Sequence, residues 1–98
     1  MSRAMENLHR VLSRTANHRY RRFDDEGIVV LLERGEVLAV NGPGAFLLEL
    51  WSEASSIEHA AEQVAASYAV EPDVAARDVS EFADEMVALG VLDERGPA

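Results

Sequence analysis

Two apolar runs held apart by a four-residue turn dominate the chain between Gly27 and Trp51. Ile28-Val29-Val30-Leu31-Leu32 and Val37-Leu38-Ala39-Val40 have the aliphatic, β-branched content of strands, and Glu33-Arg34-Gly35-Glu36 joins them. Asn41-Gly42-Pro43-Gly44 stops the second run and opens a helix, Ala45-Phe46-Leu47-Leu48-Glu49-Leu50-Trp51. A hairpin whose second strand leaves directly into helices can leave that strand at a sheet edge, its N–H and C=O groups open to another strand. Such an edge suits the capture of an extended peptide.

The flanking sequence extends the hairpin. Tyr20 to Phe23 reads as a preceding strand, with Asp24-Asp25-Glu26-Gly27 as its turn. A three-stranded antiparallel meander is thus expected over about 19–23, 27–33 and 36–41. Strands covered on one face alternate apolar and polar residues, whereas these runs are apolar almost throughout. Both sheet faces are therefore expected to meet something. Helices cover one; the other is left to the N-terminal segment, to a second protein, or to exposed aliphatics.

Three helices follow. The first spans about 44–53, with Phe46, Leu47, Leu50 and Trp51 turned inward. Ser55 and Glu58 make a capping box for a second, about 56–69, whose stripe is Ile57, Ala60, Ala61, Val64, Ala65 and Tyr68. Pro72 opens the third and Gly90 stops it, with Ala75, Val79, Phe82, Ala83, Met86 and Leu89 toward the core. Val91-Leu92 is expected to tuck back onto that core. The fold class is α+β: a three-stranded antiparallel sheet followed by three α-helices, in a winged helix-turn-helix-like arrangement.

Ninety-eight residues make one domain with a modest core, of about 60–65% burial on folding. Its body is expected over 18–93, with a basic extension at 1–17 and a tail at 94–98. Met5, Leu8, Val11 and Leu12 fall at helical spacing, so the extension is expected to be flexible or a short helix. The net charge of −9 is unevenly spread. Residues 1–22 hold six Arg against Glu6 alone, and the remainder holds three Arg against seventeen acids. No run approaches the roughly 18–20 apolar residues of a membrane span, and no secretory signal is evident, so a cytoplasmic chain with no membrane partner is expected.

Catalytic chemistry is not expected. Cysteine is absent, and His9, His18 and His59 stand at no metal-ligand spacing. No pair of carboxylates is singled out for acid–base work, and Asn41-Gly42-Pro43-Gly44 lacks the lysine of a phosphate loop. The reading is no enzyme, no metal and no cofactor. Nucleic acid is not an expected partner either. A reading helix carrying Arg77 against Asp73, Asp78, Glu81, Asp84 and Glu85 would be repelled by phosphates.

Val74, Asp78, Glu81 and Glu85 recur along one flank of the third helix. They make either a solvated acidic face or one wall of a groove whose other wall is the third strand. In the second case the candidate peptide-binding residues are Val37, Leu38, Ala39 and Val40 on the strand, and Val74, Arg77, Asp78, Glu81, Phe82 and Glu85 on the helix. Main-chain pairing would supply affinity, and side chains entering the groove would supply selectivity.

From about Phe23 to Leu92 the chain resembles the PqqD-like family, the recognition elements of ribosomally synthesised and post-translationally modified peptides (RiPPs). The matching features are the hairpin ending in Val40-Asn41, Gly44-Ala45 leading to Leu50-Trp51, and Ile57-Glu58 through Ala61 to Tyr68-Ala69-Val70. Asp78-Val79 with Phe82, Met86 and Gly90-Val91-Leu92 completes the set. The resemblance implies a non-catalytic domain that binds a precursor's leader peptide as an added strand between the third strand and third helix. It also implies a partner: a radical-SAM modifying enzyme, as in pyrroloquinoline quinone biosynthesis, or the leader peptidase of a lasso-peptide pathway. Trp51-Ser52-Glu53-Ala54 stands where quinone-pathway members carry Cys-Asp-Gly, which sets this chain apart from them. A monomer or weak dimer is expected. The alternative reading is an acidic winged-helix regulatory or dimerisation module.

Overall fold

The computed structural model describes residues 8–95. The elements in chain order are β1 (Val11–Arg14), β2 (His18–Phe23), β3 (Glu26–Leu31), β4 (Glu36–Val40), α1 (Gly42–Leu50), β5 (Ser55–Ser56), α2 (Ile57–Tyr68), α3 (Pro72–Ala88) and β6 (Leu92–Glu94). The expected meander is present as the antiparallel sheet β2-β3-β4. Its first turn places Asp24 at φ 53°, a left-handed conformation that Asp tolerates better than most residues. Its second places Gly35 at φ 65°, and Gly35 N donates to Leu31 O at 2.8 Å.

Alternation sorts the two faces of this sheet. Gly27, Val29, Leu31 and Val40 are buried on the face that packs against α1, whereas Ile28 and Val30 are half-buried and Val37 and Ala39 exposed on the other. Among the described residues nothing covers that second face, which leaves its aliphatics half-buried or exposed, one of the expected alternatives. The apolar runs are continuous, yet only one face finds a helix.

Each helix begins with a residue suited to its terminus. Asn41 caps α1, its Oδ1 accepting from Gly44 N at 2.9 Å. Ser56, not Ser55, caps α2 by accepting from His59 N at 3.0 Å. Ser55 instead pairs with Leu12, and its carbonyl accepts from Trp51 Nε1 at 3.2 Å. Pro72 sits in the first turn of α3, and Gly90 ends it at φ 79°, with Val91 N donating back to Met86 O at 2.9 Å. Val91 and Leu92 then bury fully, as expected. Gly44, Ala45, Leu47, Leu48 and Trp51 are the buried residues at α1, while Phe46 and Leu50 lie half-buried at its flanks. The inward face of that helix is thus rotated slightly from the expected one.

The larger correction concerns the N-terminus. Val11 to Arg14 form a strand, not a helix, at the centre of a second antiparallel sheet of order β5-β1-β6. Leu12 is completely buried within it. Arg10 ties the arrangement together, reaching Asp84 on α3 at 2.6 Å and Glu94 on β6 at 2.9 Å. The folded body therefore starts before residue 18, while Met5 lies outside the described residues. Among those residues no helix is long and apolar enough to cross a membrane.

Candidate functional site

The sheet β2-β3-β4 has two outer edges, and their chemistry differs. β2 carries Arg19, Arg21 and Arg22, the kind of charged edge that discourages strand pairing. β4 presents Val37, Leu38, Ala39 and Val40, and no strand among the described residues pairs with its outer side. The meander register, with Val29 opposite Leu38 and Gly27 opposite Val40, holds β4 extended up to Asn41.

A cavity of about 370 Å³ opens where β4 passes into α1. Asn41, Pro43, Gly44 and Leu47 line one side, Val64 and Val70 a second, and Ala75, Asp78, Val79, Glu81, Phe82 and Glu85 the α3 side. Its interior is mainly aliphatic and aromatic. Its mouth is acidic, because Asp78, Glu81 and Glu85 are exposed. Gly44 sets the width at one point: a Cβ there would stand 3.1 Å from Val40 Cβ and 3.2 Å from Phe82 Cε1. The lack of a side chain at Gly44 lets α1 start close against both β4 and α3.

Of the candidate residues, Asp78, Glu81, Phe82 and Glu85 come together around this cavity. Val37, Leu38, Ala39 and Val40 do not line it; the chain leaving β4 meets it at Asn41, the cap of α1. Val74 is half-buried elsewhere on α3, and Arg77 projects to solvent with Nε 3.7 Å from Asp78 Oδ1. The residues missed from sequence are Asn41 with Pro43, Gly44 and Leu47 of α1, Val64 of α2 with Val70 after it, and Ala75 and Val79 of α3. The Asn41-to-Gly44 segment was the available signal, since a cap followed by closely spaced glycines marks a close backbone approach.

On the other side of α1 a polar network fixes the sheet to the helix. Tyr20 Oη donates to Glu49 Oε2 at 2.7 Å, and Arg22 Nη1 donates to the same oxygen at 2.8 Å. Burial and the bond to Glu49 push the Tyr20 phenol up to about 12. The bonds from Tyr20 and Arg22 hold the Glu49 carboxyl below its ordinary value. The Arg14 guanidinium lies over the Tyr20 ring, 5.2 Å from its centroid. These contacts position β2 against α1. Among the described residues no group of three or more His, Cys, Asp or Glu is arranged to hold a metal ion.

Solved structures with this fold include TbiB1 in complex with the TbiA(beta) leader peptide, at TM-score 0.74 and 20% identity, over 88% of this chain and 98% of that one. A lasso peptide synthetase B1 complexed with the leader peptide is similar at TM-score 0.73 and 17% identity, over 84% of this chain and 96% of that one. The PqqD truncation of Methylobacterium extorquens PqqCD, described as a functional, stand-alone RiPP recognition element, gives TM-score 0.69 and 14% identity, over 85% and 88%. No curated protein matches significantly. The family model for PqqD, coenzyme PQQ synthesis protein D, matches residues 26–92, from the start of β3 to the first residue of β6, and the chain belongs to that family.

Proposed function

We propose that the chain is a non-catalytic adaptor for the leader region of a ribosomally made precursor peptide. The leader adds as a strand to the outer edge of β4, and one or more of its side chains enter the cavity against α3. The domain then presents the precursor to a modifying or leader-processing enzyme in the cytoplasm, where such precursors are made. One observation carries this reading: an unpaired strand edge, apolar from Val37 to Val40, leads into an apolar cavity with an acidic mouth. Support comes from two structural neighbours that were solved with leader peptides bound. Strand addition gives affinity through main-chain hydrogen bonds that any sequence can make, so selectivity falls to the cavity.

The test is an amide NMR titration of the domain with a synthetic leader taken from the precursor gene beside its own. Saturable shifts at residues 36–41 and along 74–85 are expected. A folded domain and intact peptide that give no shifts there, with this leader and with a second candidate, would sink the proposal.

A further inference from the structure

The face of β2-β3-β4 turned away from α1 is the largest feature that leader binding leaves unused. Its rows follow from the register: Arg19 beside Val30 beside Val37, then Arg21 beside Ile28 beside Ala39. Phe23 stands at one end of this face. Leu32 continues the alternation at the other, where its N donates to Asn17 O at 3.3 Å and prolongs the ladder. Four large apolar side chains are conspicuously exposed among the described residues, and three of them lie on this face: Phe23 at 56%, Leu32 at 47% and Val37 at 67%. Scattered exposed aliphatics need no explanation, but Val30 beside Val37 and Ile28 beside Ala39, with Phe23 and Leu32 exposed at the two ends of the same face, make an apolar strip that does.

Two cations stand beside that strip, Arg19 and Arg21 of β2. Arg10, Arg22, Arg34 and Arg77 each have a carboxylate partner. Arg14, Arg19, Arg21 and Arg95 have none within ion-pair distance among the described residues; Arg19 and Arg21 are the two that lie on this face, although the chain as a whole carries −9. The acid on this face is Glu26, opposite Phe23 at the hairpin end. Two unneutralised guanidinium groups flanking an apolar strip match a partner surface that is apolar with carboxylates at its margin. A second copy of the same face would bring arginines toward arginines. A strand added at β4 extends the sheet sideways and leaves the face clear.

We infer that this face docks a second folded protein, the enzyme that receives the peptide, and that the enzyme meets it with apolar side chains edged by Asp or Glu. The inference rests on the adaptor reading for the identity of that enzyme, but it concerns a surface separate from the leader groove. Leader and enzyme therefore bind at the same time.

The experiment uses the purified modifying enzyme or leader peptidase encoded beside this gene. Its affinity for the domain is measured by biolayer interferometry, and leader affinity is measured separately on each variant. Phe23→Ser with Leu32→Ser, and independently Arg19→Glu with Arg21→Glu, are each expected to weaken enzyme binding at least tenfold and to leave the leader Kd within twofold. If the apolar variant loses its fold by circular dichroism, the arginine variant decides. Enzyme binding unchanged in the folded variants, or absent in the wild type, overturns the inference. So does a wild-type dimer by light scattering that these substitutions dissociate, because the occupant is then a second copy. Enzyme binding that depends on this face while no leader binds would retain the docking surface and remove the adaptor reading instead.

Discussion

Gly27 lies so close beneath Tyr20 that a Cβ built on it would stand 2.7 Å from Tyr20 Cε1, and 2.9 Å from Val40 Cγ2 on its other side. The glycine is what lets the Tyr20 ring cross β3 to reach Glu49 and the Ala45 carbonyl. Gly27→Ala should therefore destabilise the domain by overpacking, by about 1–3 kcal/mol. Urea unfolding followed by the buried Trp51 provides the measurement, and a loss below roughly 0.5 kcal/mol would mean the ring simply moves aside.

The second sheet makes an equally direct prediction. Leu12 is fully buried on a strand that pairs on both sides. Leu12→Ala should cost about 2–5 kcal/mol, as for other buried leucines that leave a cavity. A near-neutral effect in the same unfolding assay would show that β1 is dispensable to the body.

His18 is buried at the start of β2, its ring Nδ1 3.4 Å from Thr15 Oγ1. Burial first, then the charges of Arg14 and Arg19, lower its pKa below the ordinary 6.5. In the window between the folded and unfolded values the unfolded chain binds the extra proton. The stability linked to His18 is therefore complete above about pH 6.5 and is lost as pH falls below it. Denaturant midpoints measured from pH 8 to 5 should decline through this window in the wild type. A folded His18→Gln variant should lose that part of the slope.

Along β4, alternate N–H groups face β3 and the open edge. Proline placed in turn at Val37, Leu38 and Ala39 removes one or the other. At least one variant that melts within a few degrees of the wild type is expected to lose leader affinity tenfold or more. Folded proline variants that all bind leader within twofold of wild type would exclude strand addition at this edge.

At the cavity mouth, Asp78→Asn with Glu85→Gln should leave the fold unchanged, since both side chains are exposed. Leader affinity should fall about three- to tenfold, an amount consistent with exposed charge pairs. The salt dependence of binding should flatten in parallel. Calorimetry at two ionic strengths measures both. Unchanged affinity and salt response would place the cavity outside the recognition surface.

The parts of the fold that could be read from sequence are those whose signals are local. Apolar runs bounded by Asp24-Asp25 and by the Gly35 turn define β2, β3 and β4, and the Asn41 and Pro72 starts with the Gly90 stop bracket α1 and α3. β1 carries no such signal. Four residues, Val11 to Arg14, become a strand only by pairing with Ser55–Ser56 and Leu92–Glu94, which lie far along the chain. Met5, Leu8, Val11 and Leu12 favoured a helix by spacing alone. The same limit applies at the site. Helical periodicity groups Asp78, Glu81, Phe82 and Glu85, but Val74 and Arg77 fall off the cavity because rotation of a helix is fixed by packing. Leu47, Val64 and Val70 join it only through tertiary contact.

β1 also brings the two described ends of the chain together, since Leu12 lies opposite Glu94 and Arg95 N donates to Val11 O at 2.7 Å. Polypeptide enters and leaves the body at neighbouring points on one small sheet. A protein fused directly at Arg10 or at Arg95, the flanking residues removed, would thus start from nearly the same position, and the body between those points is suited to insertion into a surface loop of a host. In such chimaeras linker length, rather than fusion order, would set how far the cargo reaches.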